Sequence, residues 1–228
     1  MITEINRIIR ENFETVPYHN FWLILGTGLN PTSQGGICTD KNFYLYKLLY
    51  NKGFYVKLHS AQINGQNIHQ LIKIEIEEKS YLIDVGLGWP ILQPIPLFTH
   101  SIWQNFGIEF KTEIKRNILY VYRVEKQKES LNYITNISNY NQEIVKKEIE
   151  NSYNKNIDYP FINSIRFSKI VDNEFYFLKE ATLYYSKKNV LYKKQIDTWF
   201  KFEELFRTIF KFDLKIAREV ANKLKMFK

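Results

Sequence analysis

The sequence predicts an α+β fold that runs helices, antiparallel sheet, helices. Apolar residues recur at helical spacing before Gly53, alternate with a period of two after it, and return to helical spacing near the C-terminus.

The first helical candidate covers residues 2–13. Pro17 ends it, because proline removes a backbone donor and its ring clashes with the preceding turn. An apolar stretch over residues 21–25 is closed by Gly26 and Gly28, and the chain then approaches Gly35-Gly36. Cys38 opens the strongest helix, with Thr39 and Asp40 in its first turn, Phe43, Leu45, Leu48 and Leu49 inside it, and Gly53 as its stop. After Gly53, Phe54, Val56 and Leu58 alternate with polar positions, and strands follow over 68–76 and 81–85, separated by a polar turn at 77–80. Further strands are expected at 107–113, 117–125, 174–178 and 181–186, interrupted by a helix rich in Lys and Glu over 142–153. Near the end, Phe202, Leu205, Phe206, Ile209 and Phe210 form an apolar helical stripe read as core. No repeat or low-complexity linker divides the chain, so its parts are expected to pack as one unit.

The 228 residues, 45% of them apolar, suffice for a sizeable buried core. A single cysteine excludes an internal disulfide, and residues 1–10 lack the apolar core of a signal peptide; a reducing, cytoplasmic setting is expected. Residues 21–25 fall far short of the roughly 18 to 20 apolar residues that cross a bilayer, so no membrane association is expected. The net charge of +8 is spread over lysines that rarely cluster beyond pairs, which reads as a generic basic surface and makes nucleic acid an unexpected partner.

Cys38 is the candidate nucleophile. The thiolate is the reactive form, and exposed N–H groups at a helix N-terminus stabilise it. Gly35 and Gly36 just before it leave room for a bulky thioester. His69 points away from the apolar stripe of its strand, and Asp84 lies among apolar neighbours on the next one. A buried carboxylate needs a partner, and His69 is the natural one. The two positions differ by 15, an odd number, which sets both side chains on one face across a hairpin with an even-numbered loop. Spacing leaves two readings open: a catalytic triad with Cys38, or a His–Asp brace within the sheet. His59 and His100 read as structural or surface residues. One cysteine and four scattered histidines give no metal signature. Gly26-Thr27-Gly28 lacks the third glycine of a dinucleotide loop.

With these residues in order, the chain resembles the arylamine N-acetyltransferase family. That family's pattern is Pro-aromatic-Glu-Asn, then Arg-Gly-Gly-x-Cys-x-Glu-x-Asn, then His, then Asp-Val-Gly-x-Gly. The matching segments here are Pro17-Tyr18-His19-Asn20, Gln34-Gly35-Gly36-Ile37-Cys38-Thr39-Asp40-Lys41-Asn42, His69, and Asp84-Val85-Gly86-Leu87-Gly88. The resemblance implies an N-terminal helical bundle (1–53) carrying the nucleophile, an antiparallel β-barrel with an inserted helix (54–186), and a mainly helical C-terminal lid (187–228). It also implies a cysteine-protease-like triad of Cys38, His69 and Asp84, with Gly35, Gly36, Tyr18, Asn67 and Ile68 shaping the site. The implied chemistry is ping-pong acyl transfer from acetyl-CoA, or another acyl thioester, to a small-molecule amine, with no permanently bound cofactor. The chain departs from the pattern at His19 and Gln34, which replace a Glu and an Arg expected to pair; a structural contact between His19 and Gln34 is expected in their place. The segments before Pro17 and between Asn20 and Gly35 are short for the family. That leaves open an amide synthase drawing on an acyl carrier protein, and a cysteine hydrolase or transglutaminase-like enzyme. A basic binding protein is the non-enzymatic alternative.

Overall fold

The computed structural model describes residues 1–138, 141–154, 157 and 159–227. Helix α1 (Ile2–Thr15) buries Ile5, Ile8, Ile9, Asn12 and Phe13 along one stripe. It gives way at Val16 to extended backbone, as a residue before proline must. A two-residue strand, β1 (Tyr18–His19), leads into the short helix α2 (Phe21–Leu25), which ends on the left-handed Gly26. Helix α3 (Cys38–Asn51) follows.

The large antiparallel sheet is built from β2 (Val56–Ile63), β3 (Gln66–Ile76), β4 (Lys79–Ile83), β5 (Ile95–Pro96), β6 (Ile102–Asn105), β7 (Ile108–Lys115), β8 (Ile118–Glu125) and β9 (Lys128–Asn136). Its spatial order is β5-β4-β3-β2-β9-β8-β7-β6. The turn between β3 and β4 is tighter than the polar stretch 77–80 suggests. Only Glu77 and Glu78 form it, both at positive φ, while Lys79 and Ser80 already pair in the strand. The loop is nevertheless even-numbered, and Ile72 faces Ile83, so His69 and Asp84 keep the parity that places them on one face. Between β2 and β9 the ladder shrinks to a single pair, Gln62 with Ile134.

After α4 (Gln142–Asn151), the strands β10 (Arg166–Val171), β11 (Glu174–Lys179), β12 (Thr182–Lys187) and β13 (Val190–Gln195) form a second sheet, in the order β1-β10-β11-β12-β13. The boundary expected at 186 therefore falls inside the β12–β13 hairpin, and the strands of residues 166–195 form their own sheet, which β10 joins to Tyr18–His19, instead of extending the large sheet. One face of the small sheet carries Phe167, Leu178 and Leu183, which pack with Phe202, Phe206, Phe210, Ala217 and Val220. Those residues come from α5 (Trp199–Glu204), a π-helical turn (Leu205–Phe210) and α6 (Leu214–Lys223). The opposite face sends Tyr18, Ile170, Phe175 and Phe177 into the main core shared with the large sheet and α1. The architecture is α+β, and the two sheets meet where α3 begins.

Candidate active site

The approach to α3 is set by Gly36 and Asp40. Gly36 has φ 152, and a β-carbon there would stand 2.3 Å from Asp40 Oδ2, so the position excludes any side chain. Asp40 closes the helix start: its Oδ2 accepts from the Ile37 N–H at 3.0 Å and from the Tyr153 hydroxyl at 2.5 Å, and its Oδ1 accepts from Asn30 N–H at 2.7 Å. Burial pushes the Asp40 carboxyl up to about 6 against these hydrogen bonds.

Cys38 is the first residue of α3 and is 4% exposed. Its Sγ lies 3.4 Å from the Ile68 carbonyl oxygen and 3.6 Å from Gln70 Oε1, and the thiol stands close enough to His69 to act on the charge of its ring. His69 Nε2 stands 2.9 Å from Asp84 Oδ2, which leaves Nδ1 for the thiol. The other oxygen of Asp84 accepts the Gly86 N–H at 2.9 Å. Burial opposes a charge on His69, but the Asp84 carboxylate, its hydrogen bond and the adjoining cysteine prevail and push the imidazole up to about 10. Tyr133 packs on the ring at 4.9 Å between centroids. Cys38, His69 and Asp84 are thus brought together.

Two residues that the sequence reading did not single out hold this arrangement. Asn42, one turn after Cys38, donates from Nδ2 to the Gln70 carbonyl at 2.7 Å and accepts the Val85 N–H at 3.3 Å. It ties α3 to β3, which carries His69, and to the segment just after β4, which carries Asp84. Gln70, 2% exposed, accepts from the Thr39 hydroxyl at 2.6 Å. Asn42 was present in the quoted motif; Gln70 carried no signal, because it reads as one polar residue in a strand.

The remaining expected site residues divide. Gly35 and Gly36 lie directly before the cysteine, and the Tyr18 hydroxyl stands beside Arg166 in the field of Cys38 and Asp84; burial pushes its pKa up to about 12. Ile68 offers its carbonyl to the thiol, and its side chain packs with Leu23, Ile37, Tyr159 and Phe161 in a buried apolar cluster. Asn67 instead lines a separate cavity of about 280 Å³ with His59, Thr135 and Val145, and none of Cys38, His69 and Asp84 lines it. His19 and Gln34 meet, but through the backbone. His19 Nε2–H donates to the Gln34 carbonyl at 3.0 Å and Nδ1 accepts the Phe21 N–H at 3.2 Å, while the exposed Gln34 side chain accepts from Asn30 Nδ2. The contact therefore holds Gln34 by its main chain: aromatic rings of Phe21, Trp22, Phe167 and Phe212 surround His19, and burial pushes it down to about 3, so it is neutral.

A family model described as N-acetyltransferase matches residues 2–220. The chain belongs to the N-acetyltransferase family. Among its relatives, an uncharacterized acetyltransferase of Bacillus subtilis is 31% identical over 102 residues, covering 40% of this chain and 40% of its own length. Arylamine N-acetyltransferase 1 of Felis catus is 28% identical over 133 residues, 54% of this chain and 49% of its own length. The chain thus spans about half or less of the length of these curated relatives. The structure of Mycobacterium marinum arylamine N-acetyltransferase in complex with CoA superposes with a TM-score of 0.82 at 12% identity, covering 100% of this chain and 94% of that one. That likeness is one of fold, and it agrees with the α+β architecture expected of an arylamine N-acetyltransferase.

Proposed function

We propose that this N-acetyltransferase family member moves an acetyl or related acyl group from a CoA thioester to a small-molecule amine by way of a thioester on Cys38. The observation that carries this reading is the buried group of Cys38, His69 and Asp84, with the Asp84 carboxylate 2.9 Å from one ring nitrogen of His69 and the Cys38 thiol in the immediate field of the ring. Asp84 fixes the ring orientation and favours the imidazolium. The Cys38 sulfur attacks the acyl carbonyl carbon, the bond to the donor sulfur breaks, and His69 returns the proton to the departing thiolate. In the second half the amine nitrogen attacks the Cys38 thioester, His69 takes the amine proton, and the amide leaves as Cys38 is freed. Covalent chemistry of this kind needs no resident cofactor. The CoA bound to the Mycobacterium marinum relative supports a CoA thioester as co-substrate.

Intact-mass measurement after incubation with acetyl-CoA is the test. One acetyl group per chain, absent in Cys38→Ser and discharged faster by amines than by water, is expected. No adduct with any acyl thioester overturns the reading; equal discharge to water and amines assigns the enzyme to hydrolysis.

A further inference from the structure

The face of the small sheet that carries Tyr18 and Phe177 also carries Arg166 and Lys179, which stand directly opposite each other in the β10–β11 register. Like charges at opposed positions on neighbouring strands are unfavourable. Neither residue forms an ion pair among the described residues. The Arg166 guanidinium lies over the Phe161 ring, 5.0 Å from its centroid, and beside the Tyr18 hydroxyl; its buried Nε has no hydrogen-bond partner among the described residues. Half-buried Lys179 feels the charges of Arg166, Arg123 and Lys193, with only the adjacent Glu180 opposing them. Arg123 stacks on Trp89 at 4.3 Å and, like Lys193, is paired with Glu125. A row of cations therefore runs from Tyr18, and its inner two members have no ion-pair partner among the described residues.

We propose that Arg166 and Lys179 form an anion subsite that holds a phosphate group of the acyl donor while its thioester reaches Cys38. The proposal rests on Cys38 being the acyl carrier. A planar guanidinium fork beside a point charge suits an anion with several oxygens, and the row continuing to Lys193 suits a donor with more than one phosphate. Phosphate next to a pantetheine arm is common to CoA and to the prosthetic group of acyl carrier proteins.

The test compares single-turnover acylation of Cys38 by acetyl-CoA, S-acetyl-4′-phosphopantetheine and S-acetyl-pantetheine, which has no phosphate. At low salt the phosphorylated donors are expected to acylate about tenfold or more faster at subsaturating concentration, as one charge-assisted hydrogen bond allows, and to lose this advantage as salt rises. An advantage shared by acetyl-CoA and the phosphopantetheine thioester places the first phosphate in the subsite; an advantage of acetyl-CoA alone places the nucleotide phosphates there. In Lys179→Gln and Arg166→Gln the advantage is expected to shrink, and an undiminished advantage in both folded variants overturns the proposal. Equal acylation of the wild type by all three donors overturns it without any variant. Failure of every donor to acylate Cys38 is a different result and defeats the proposed function itself.

Discussion

Gly86 lies so close to Cys38 that a β-carbon on it would stand 2.4 Å from the Cys38 Cα and 2.6 Å from Asn42 Nδ2. This backbone contact sets how near the segment after β4 comes to the start of α3. Gly86→Ala should therefore push Asp84 and Cys38 apart, costing roughly 1–3 kcal/mol of stability as overpacking does and slowing acylation as well. Urea unfolding together with a burst-phase acylation assay checks both; wild-type values in each would show that the two segments are free to separate.

Asp84→Asn keeps the size of the side chain and removes its charge. The folded structure should persist, and turnover should fall by about 10³ to 10⁴, as when a triad aspartate is amidated and the histidine takes the wrong tautomer. Steady-state turnover with acetyl-CoA and an arylamine, beside a circular dichroism spectrum, decides it. Retained turnover would reduce Asp84 to a brace within the sheet.

Asn42→Ala leaves the Gln70 carbonyl and the Val85 N–H without their partner. A loss of about 1–3 kcal/mol is expected from the unsatisfied groups. Acylation should slow beyond what the unfolded fraction explains, because α3 and the strands lose their common tie. A stability loss with unchanged acylation per folded molecule would separate the clamp from the chemistry.

Stability should fall in acid. His19 is pushed down to about 3 and His59 to about 4, both chiefly by burial, from an ordinary value of 6.5. Between those values the unfolded chain binds protons that the folded chain refuses, so each histidine withdraws stability as pH drops below 6.5. Asp40, raised to about 6, acts in the opposite sense below that pH and offsets part of the loss. His69 contributes at the other end: raised to about 10, it gives stability that is full below 6.5 and is lost as pH rises through 10. Urea midpoints measured from pH 4.5 to 6.5 should rise with pH, and His19→Phe should flatten the slope. A slope indifferent to His19 would mean that another group governs it.

Gln34→Arg should change stability by no more than about 0.5 kcal/mol, since the side chain is exposed and its contact with His19 runs through the main chain. Combined with His19→Gln, it should show coupling below about 0.5 kcal/mol in a double-mutant cycle. A larger coupling would return the two side chains to the paired role that the family pattern suggests.

Much of the site was legible because local rules govern it. The helix opening at Cys38 follows from its glycines and stop signals, and the shared face of His69 and Asp84 follows from strand parity, which survived a turn tighter than expected. What escaped has a physical cause. β9 (Lys128–Asn136) and β13 (Val190–Gln195) are largely exposed, so polar residues occupy positions that would otherwise display a period of two. β1 is only two residues long, and its pairing with β10 depends on residues far away in the chain, which no local pattern reports. Gln70 is recognisable only once Thr39 and Cys38 are seen against it.

That distant pairing has a consequence for how the protein comes into being. Cys38, His69 and Asp84 have all been made once Asp84 is added, yet Ser168, the strand partner of Tyr18, follows only 84 residues after that. Contacts of such sequence separation form late, after the entropy of a long loop has been overcome. During synthesis the chain thus carries Cys38 well before the small sheet can close beside it, and a nascent chain released before β10 would own Cys38, His69 and Asp84 without Arg166 and Phe177 near Tyr18.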